Sequence, residues 1–349
     1  MIVTDEPHKG PPKKPSRSKA AAFLITIVLV VSVVSGLVLF GETEQLAAVL
    51  ASFRWWLMGP ILALTIAGYL VRFVRWQLYL SHLAVPTLPV KTSALVFASG
   101  FSMAVTPGKA GEVIKCVELR RLTGAPISRT SAIVVAERVT DVIAMLLLAA
   151  LGVVQFAYGR VFLGAGFVMV VVTVAVLRRP GGLARIVRVA GRWPAVSRFA
   201  AHAATFLAAS EVLLRPRLLA SASVLSVLAW AAECVAFYLV LIGLGVPSSW
   251  HLLLVATFSM ATSTLIGAAS MLPGGLGTAD ASVAGMVLLL LPGDDMTRGV
   301  AAAAALIIRF ATLWFGLLLG LAALALLHGH GLPGRRATSQ TVPATGRDG

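Results

Sequence analysis

The sequence predicts an all-α polytopic membrane protein, from its composition, the length of its apolar runs and the placement of its cations. Of its 349 residues, 58% are hydrophobic and only 12% charged, and the mean hydropathy is +0.91. Such a surface needs lipid as its solvent. The apolar runs are about 20 residues long, enough at roughly 1.5 Å per residue to cross a ~30 Å hydrocarbon core. Within lipid a helix satisfies its own backbone groups, so the spans are helical. The formal charge of +15, from 29 Lys+Arg against 14 Asp+Glu, raises nucleic acid as a partner. Its distribution excludes that partner. The cations fall at the ends of apolar runs and in short loops, where they fix membrane orientation, rather than along one soluble face.

Residues Met1–Lys19, with Lys9, Lys13, Lys14, Arg17 and Lys19, lack hydrophobic periodicity and read as a disordered basic tail. The run Ala20–Phe40 is too long for a signal-peptide core and is read as a retained first helix, which puts the tail in the cytoplasm. A second span covers about Trp55–Leu80, with Arg72, Arg75 and Lys91 marking its inner end, Arg72 and Arg75 as snorkelling anchors, and Trp55, Trp56 and Trp76 at the interfaces. The apolar stretch that follows is too short to cross twice. Residues 93–122 therefore read as a re-entrant hairpin entering from the cytoplasm and breaking at Pro107-Gly108. Helices at about 130–154 and 161–177 complete a first membrane half, 20–177. Residues 178–217 carry Arg178, Arg179, Arg185, Arg188, Arg192, Arg198, Arg215 and Arg217, as a basic cytoplasmic segment with an interfacial helix over Leu183–Leu214 would.

The second half, 218–327, opens with a span at about 218–245. Two apolar runs joined by Leu272-Pro273-Gly274-Gly275 form a second hairpin, 252–291, bounded on the outside by Asp294-Asp295. A last span at about 299–327 returns to a basic tail, 328–349, with Arg335 and Arg336. The expectation is about six full spans plus two oppositely oriented re-entrant hairpins, in an inner (plasma) membrane with both termini cytoplasmic.

The hairpins echo one another. Pro107-Gly108-Lys109-Ala110-Gly111-Glu112 is matched by Pro273-Gly274-Gly275-Leu276-Gly277, with Asp280 three residues on. Some 30 to 36 residues after each proline an arginine stands inside an apolar helix, Arg138 in one and Arg309 in the other. Hairpins entering from opposite faces make two inverted pseudo-repeats, and Gly/Pro-interrupted helices at matching places point to a transporter site near the midplane. Ordinary short spans punctuated by turn dipeptides would leave the termini on the same side.

The intramembrane charges are the candidate site. Glu137, Arg138 and Asp141 lie about 12–18 Å along their helix, near the bilayer centre. Each charge there costs about 2.5–3.5 kcal/mol, so all three must face protein or trapped water. Arg138 and Asp141, at i,i+3, can pair, and Arg309 at similar depth is the expected counter-ion for the remaining carboxylate. A network that only braces the helices is the other reading of the same residues. Glu112 and Lys115 follow the Pro107-Gly108 break, where a broken helix leaves N–H groups suited to a phosphate. Cys116 and Cys234 read as apolar packing residues, and His82, His202 and His251 have no partner at ligand spacing, so no metal, disulfide or cofactor is expected.

Pro107-x-x-x-Gly111-Glu112, then Glu137-Arg138-x-x-Asp141, then Pro273-Gly274-Gly275-Leu276-Gly277 resemble the transmembrane region of the lysylphosphatidylglycerol synthase/flippase family. The resemblance implies a flippase-like domain with two pseudo-symmetric halves and re-entrant helices around a lipid cavity. Lys115 stands where the family often has Arg, and Asp280 where it often has Glu. No soluble acyltransferase domain follows Leu327, so the chain is expected not to make lysylphosphatidylglycerol itself. The reading is a transporter of an anionic phospholipid or lipid-linked precursor. In it Lys115, Arg138 and Arg309 meet the head group, Glu112, Glu137, Asp141 and Asp280 balance them, and Pro107, Gly108, Gly111, Pro273, Gly274, Gly275 and Gly277 supply hinges. The alternatives are an integral-membrane enzyme of lipid or lipid-linked sugar metabolism, and a non-transporting partner of lipid or of a lipid-modifying synthase.

Overall fold

The structure, a computed structural model, describes residues 36, 43–106, 111–153, 160–178, 194–291, 293 and 296–329. The expected basic tail, the bulk of the first helix at 20–40, Pro107-Gly108 at the first hairpin tip, Arg185, Arg188 and Arg192, and all but the first two residues of the C-terminal tail lie outside the described residues. What is described is helical, with no strand.

A short helix α1 (Thr43–Ser52) and a 3₁₀ turn at Trp55–Leu57 precede α2 (Met58–His82). The first hairpin follows as α3 (Val90–Ser99), a 3₁₀ turn at Gly100–Met103 and α4 (Ile114–Thr123). Two long helices, α5 (Ile127–Val153) and α6 (Arg160–Arg178), close the first half. α7 (Pro194–Leu213) leads to α8 (Pro216–Gly243), which starts with proline in its first turn, where no intrahelical donor is lost. The second hairpin is α9 (Trp250–Ala269) and α10 (Thr278–Leu290), and the last span is α11 (Arg298–Arg309), a π turn at Phe310–Trp314 and α12 (Phe315–Gly329). Hydroxyl caps set two of these starts: Ser249 accepts from Leu252 N–H at 3.0 Å and Thr297 from Val300 N–H at 3.3 Å.

Among the described residues, five stretches are long and apolar enough to cross a membrane: Trp55–His82, Pro216–Gly243, Trp250–Ala269, Pro273–Leu290 and Arg298–Gly329. The two hairpins therefore differ. The limbs of the first are ten residues each, about 15 Å and half a bilayer core, whereas α9 alone has the 20 residues of a full span. α5 has the length to cross at 27 residues, but Glu137, Arg138 and Asp141 interrupt its apolar surface.

The packing repeats itself between halves. α2 lies along α8; α5 packs on α9, the first limb of the other half's hairpin, and α12 packs reciprocally on α3. Within each half the second limb meets the helix after it, α4 with α5 and α10 with α11. Small residues permit the close approaches: a Cβ on Gly320 would collide with the Ser102 backbone, and the buried run Ala301–Ala305 presents almost no side chain on α11. α7 packs on α5 and α6 and buries Leu207, Ala209 and Leu213, so the described part of the expected interfacial segment is joined to the core.

Trp76 corrects one expectation. Trp55 and Trp56 are exposed as interface residues are, but Trp76 is fully buried and its indole donates to Ser93 Oγ at 3.2 Å, tying α2 to the first hairpin.

Candidate functional site

Three charge centres sit among these helices. The largest is built on α5. Its helical period places Glu137 and Asp141 on one stripe and Arg138 beside it, and α2 and α4 bring the remaining charges. Arg75 of α2, only 2% exposed, donates to Asp141 Oδ1 at 2.6 Å, to Thr140 Oγ1 at 3.0 Å and to Ser226 Oγ of α8. Lys115 of α4 donates to Glu137 Oε2, has Glu112 at 3.9 Å, and lies 5.2 Å from the ring centre of Trp76 and 5.8 Å from that of Phe97. Two aromatic faces thus help hold a desolvated ammonium. Arg138 grips both oxygens of Glu112, at 3.0 and 3.3 Å, and reaches Asp141 at 3.4 Å. Its side chain is 36% exposed while those carboxylates are buried.

The second centre joins α10 to α11. Arg309 Nε donates to Asp280 Oδ1 at 2.5 Å and its Nη1 to the Gly274 carbonyl at 3.3 Å. Asp280 stands in the first turn of α10 and accepts from Gly277 N–H at 2.9 Å, so one carboxylate caps the helix and anchors the arginine. The local sequence makes this possible: Gly274, Gly275 and Gly277 have φ of 62°, 66° and 82°, where a side chain is strained, and Gly275 packs against Gly267. The first centre has the same link, Arg138 to Glu112 across 26 residues against Arg309 to Asp280 across 29.

The third centre lies between α2 and α8. Arg72 pairs with Glu233 at 2.6 Å, with its guanidinium 4.6 Å from the Trp230 ring centre and 6.0 Å from that of Tyr69. Tyr69 in turn donates to the Thr312 carbonyl at 2.7 Å, inside the π turn that follows Arg309. π turns shift the backbone bonding by one residue and free such carbonyls.

The sequence profile described as the lysylphosphatidylglycerol synthase TM region matches residues 23–320. This chain belongs to that family. It is therefore a multi-pass membrane protein of the lysylphosphatidylglycerol synthase TM-region family. A UPF0104 membrane protein of Methanothermobacter thermautotrophicus is 35% identical over 98 residues, 28% of this chain. The chain covers 27% of that relative's length.

Within this family member the structure gathers Glu112, Lys115, Glu137, Arg138 and Asp141 into one cluster and places Arg309 and Asp280 in another. Arg309 was the expected counter-ion for an α5 carboxylate, and here the structure differs. Arg309 is taken by Asp280 of the neighbouring hairpin limb α10, while Arg75 and Lys115 neutralise Asp141 and Glu137. Arg75 is accordingly no snorkelling anchor but the most buried cation of the cluster, and Arg72 is paired inside the protein as well. Glu233 escaped notice, although a lone acid in the apolar run of α8 is a signal of the same kind as Glu137. Gly111 donates to Thr106 Oγ1 at 2.7 Å, and a Cβ there would strike Met103 and Thr106, so its role is close approach at the start of the second limb. Pro273 opens the 3₁₀ turn that carries Gly274 and Gly275, and Gly277 follows as the N-cap of α10.

Proposed function

We propose that this protein is a flippase-like transporter that moves an anionic phospholipid or lipid-linked precursor between the leaflets of the cell membrane, with both termini cytoplasmic. It works as a transporter rather than an enzyme. The observation that carries the reading is Arg138. Arg75 and Lys115 are enclosed by their partners, but Arg138 holds two buried carboxylates and still keeps over a third of its side chain open. A guanidinium fork held in place yet accessible suits a phosphate diester gripped at two oxygens. The duplicated link from hairpin acid to helix arginine supports an inverted-repeat mechanism, in which the two re-entrant hairpins rock about the site and expose it to each leaflet in turn. Under that mechanism Arg309 and Asp280 form the matching station of the second half, and the glycines of both hairpins are the hinges.

The test is reconstitution in liposomes with labelled phosphatidylglycerol and a leaflet-exchange assay. Arg138→Lys keeps the charge and removes the fork. The variant is expected to stay folded while exchange falls about tenfold or more, as loss of a charge-assisted hydrogen bond implies. Unchanged exchange in stable Arg138→Lys protein would leave the arginine as a brace. The orientation is tested separately, with single cysteines in a background lacking Cys116 and Cys234. A cysteine at Gly108 should be labelled from the cytoplasm and one at Gly274 from outside.

A further inference from the structure

The charges of the first centre balance. Among the described residues, Arg75, Lys115 and Arg138 stand against Glu112, Glu137 and Asp141, and the other two centres are one-to-one pairs. A cluster compensated in this way has no net attraction for an anion. If a phosphate is to be held by the cations, some carboxylate must lose its hold on one.

The geometry says which. Asp141 keeps Arg75, whose Nη1 meets Asp141, Thr140 and Ser226. Glu112 is gripped at both oxygens by Arg138 and has Lys115 at 3.9 Å besides. Glu137 depends on Lys115. Its Oε2 accepts from that ammonium, and its Oε1 has no hydrogen-bond partner among the described residues although Glu137 is 2% exposed. The titratable and charged groups facing Glu137 are Lys115 and Cys116 of α4, Arg75 and Tyr79 of α2, Arg138 and Asp141 of its own helix, and Glu112, which shares Lys115 with it. From α9 comes only the uncharged run Leu252–Ala269, the described titratable groups of α7, His202 and Glu211, are exposed, and the one acid of α8, Glu233, is held by Arg72. Once Lys115 turns to a phosphate, Glu137 is a buried anion without a cation of its own, and such a group neutralises by taking a proton.

We infer that transport at this site is coupled to protons: Glu137 takes up one proton as Lys115 passes from its carboxylate to a monoanionic head group, and gives it back on the other side when the head group leaves. This rests on the transporter reading above. The loaded cluster, with one anion and one proton added, has the same net charge as the empty one. The lipid anion thus crosses as part of a neutral set, and the membrane potential exerts no net force on the step.

The experiment uses the full-length protein in liposomes with fluorescent phosphatidylglycerol as the monoanionic probe, fluorescent phosphatidylcholine as the zwitterionic one, and a trapped pH indicator. With one-to-one coupling, an imposed gradient of one pH unit should bias the steady-state leaflet ratio of phosphatidylglycerol about tenfold, since that gradient is a tenfold difference in proton activity. The indicator should record proton entry with the lipid, and a potassium diffusion potential should leave the ratio unchanged. Glu137→Gln should abolish the bias, and Glu137→Asp, which keeps a titratable group, should retain it. If phosphatidylglycerol moves with no response to the gradient and a response to the potential, the coupling is overturned and the transporter reading stands. If no lipid moves, or only phosphatidylcholine does, both fall. The wild-type measurements decide the matter even if neither variant folds.

Discussion

The two hairpin-and-helix units share one link and differ in everything around it. In each, an arginine on the helix after the hairpin holds an acid on the hairpin's second limb. In the second half that link is nearly self-contained: Arg309, Asp280, the Gly274 carbonyl and the Gly277 N–H satisfy one another, and Arg309 is 18% exposed. In the first half the same link is embedded among Arg75, Lys115, Glu137 and Asp141, and its arginine is the more open of the two. A self-satisfied pair is a latch, whereas a cluster whose cations are shared among several acids can re-sort them when a new anion arrives. The halves differ in electrostatics more than in packing.

That contrast can be broken by substitution. The largest effect is expected from Arg75→Ala, which leaves Asp141 buried with only the outlying Arg138 and should lower stability by about 3–5 kcal/mol in detergent-solubilised thermal unfolding. A loss no greater than that of a surface arginine would mean that the first cluster tolerates an uncompensated acid. Next comes Arg309→Lys. Its Nε bond to Asp280 and Nη1 bond to Gly274 cannot both survive, so a loss of about 1.5–3 kcal/mol is expected, against little for Arg138→Lys. Equal losses at the two arginines would erase the distinction between latch and site. Gly275→Ala, at φ 66° and packed against Gly267, should cost about 1–2 kcal/mol and can be compared with Gly111→Ala in the other hairpin by the same melt. The smallest effect is expected at Arg121, which meets Glu118 at 3.7 Å from an exposed position on α4, apart from the three charge centres. Arg121→Ala should shift stability by no more than about 0.5 kcal/mol, and raising salt should remove even that.

Much of this was legible in the sequence. Apolar runs gave α2, α5, α6, α8 and the last span within a few residues, because length and hydropathy are properties of each segment alone. The matched Pro/Gly breaks pointed to Arg138, Arg309, Glu112 and Asp280 as residues of interest, but not to which acid each arginine holds. What stayed hidden was pairing between distant helices. Arg72 and Arg75 stand toward the end of α2, where a long cation ordinarily reaches for the interface, and nothing local distinguishes that from an inward partner. Only the contact of α2 with α8 and the approach of Thr140 and Asp141 decide it. Arg309 was matched to the wrong acid for the same reason: depth along a helix can be counted from the sequence, but azimuth relative to another helix cannot. The hairpins were read as matching repeats, whereas their described limbs have ten residues each in the first and 20 and 13 in the second.

The buried alanines of α11 have a consequence for how this protein can vary. Ala301 to Ala305 touch neighbours on all sides with little more than backbone and methyl groups, so the helix is smooth, without ridges to lock against its surroundings. Any enlargement there pushes on several helices at once, and no rotamer can be chosen to escape it. The segment is therefore closed to drift in size. Arg309 sits at its end, so the seating of this close-packed stretch sets where the grip on Asp280 falls.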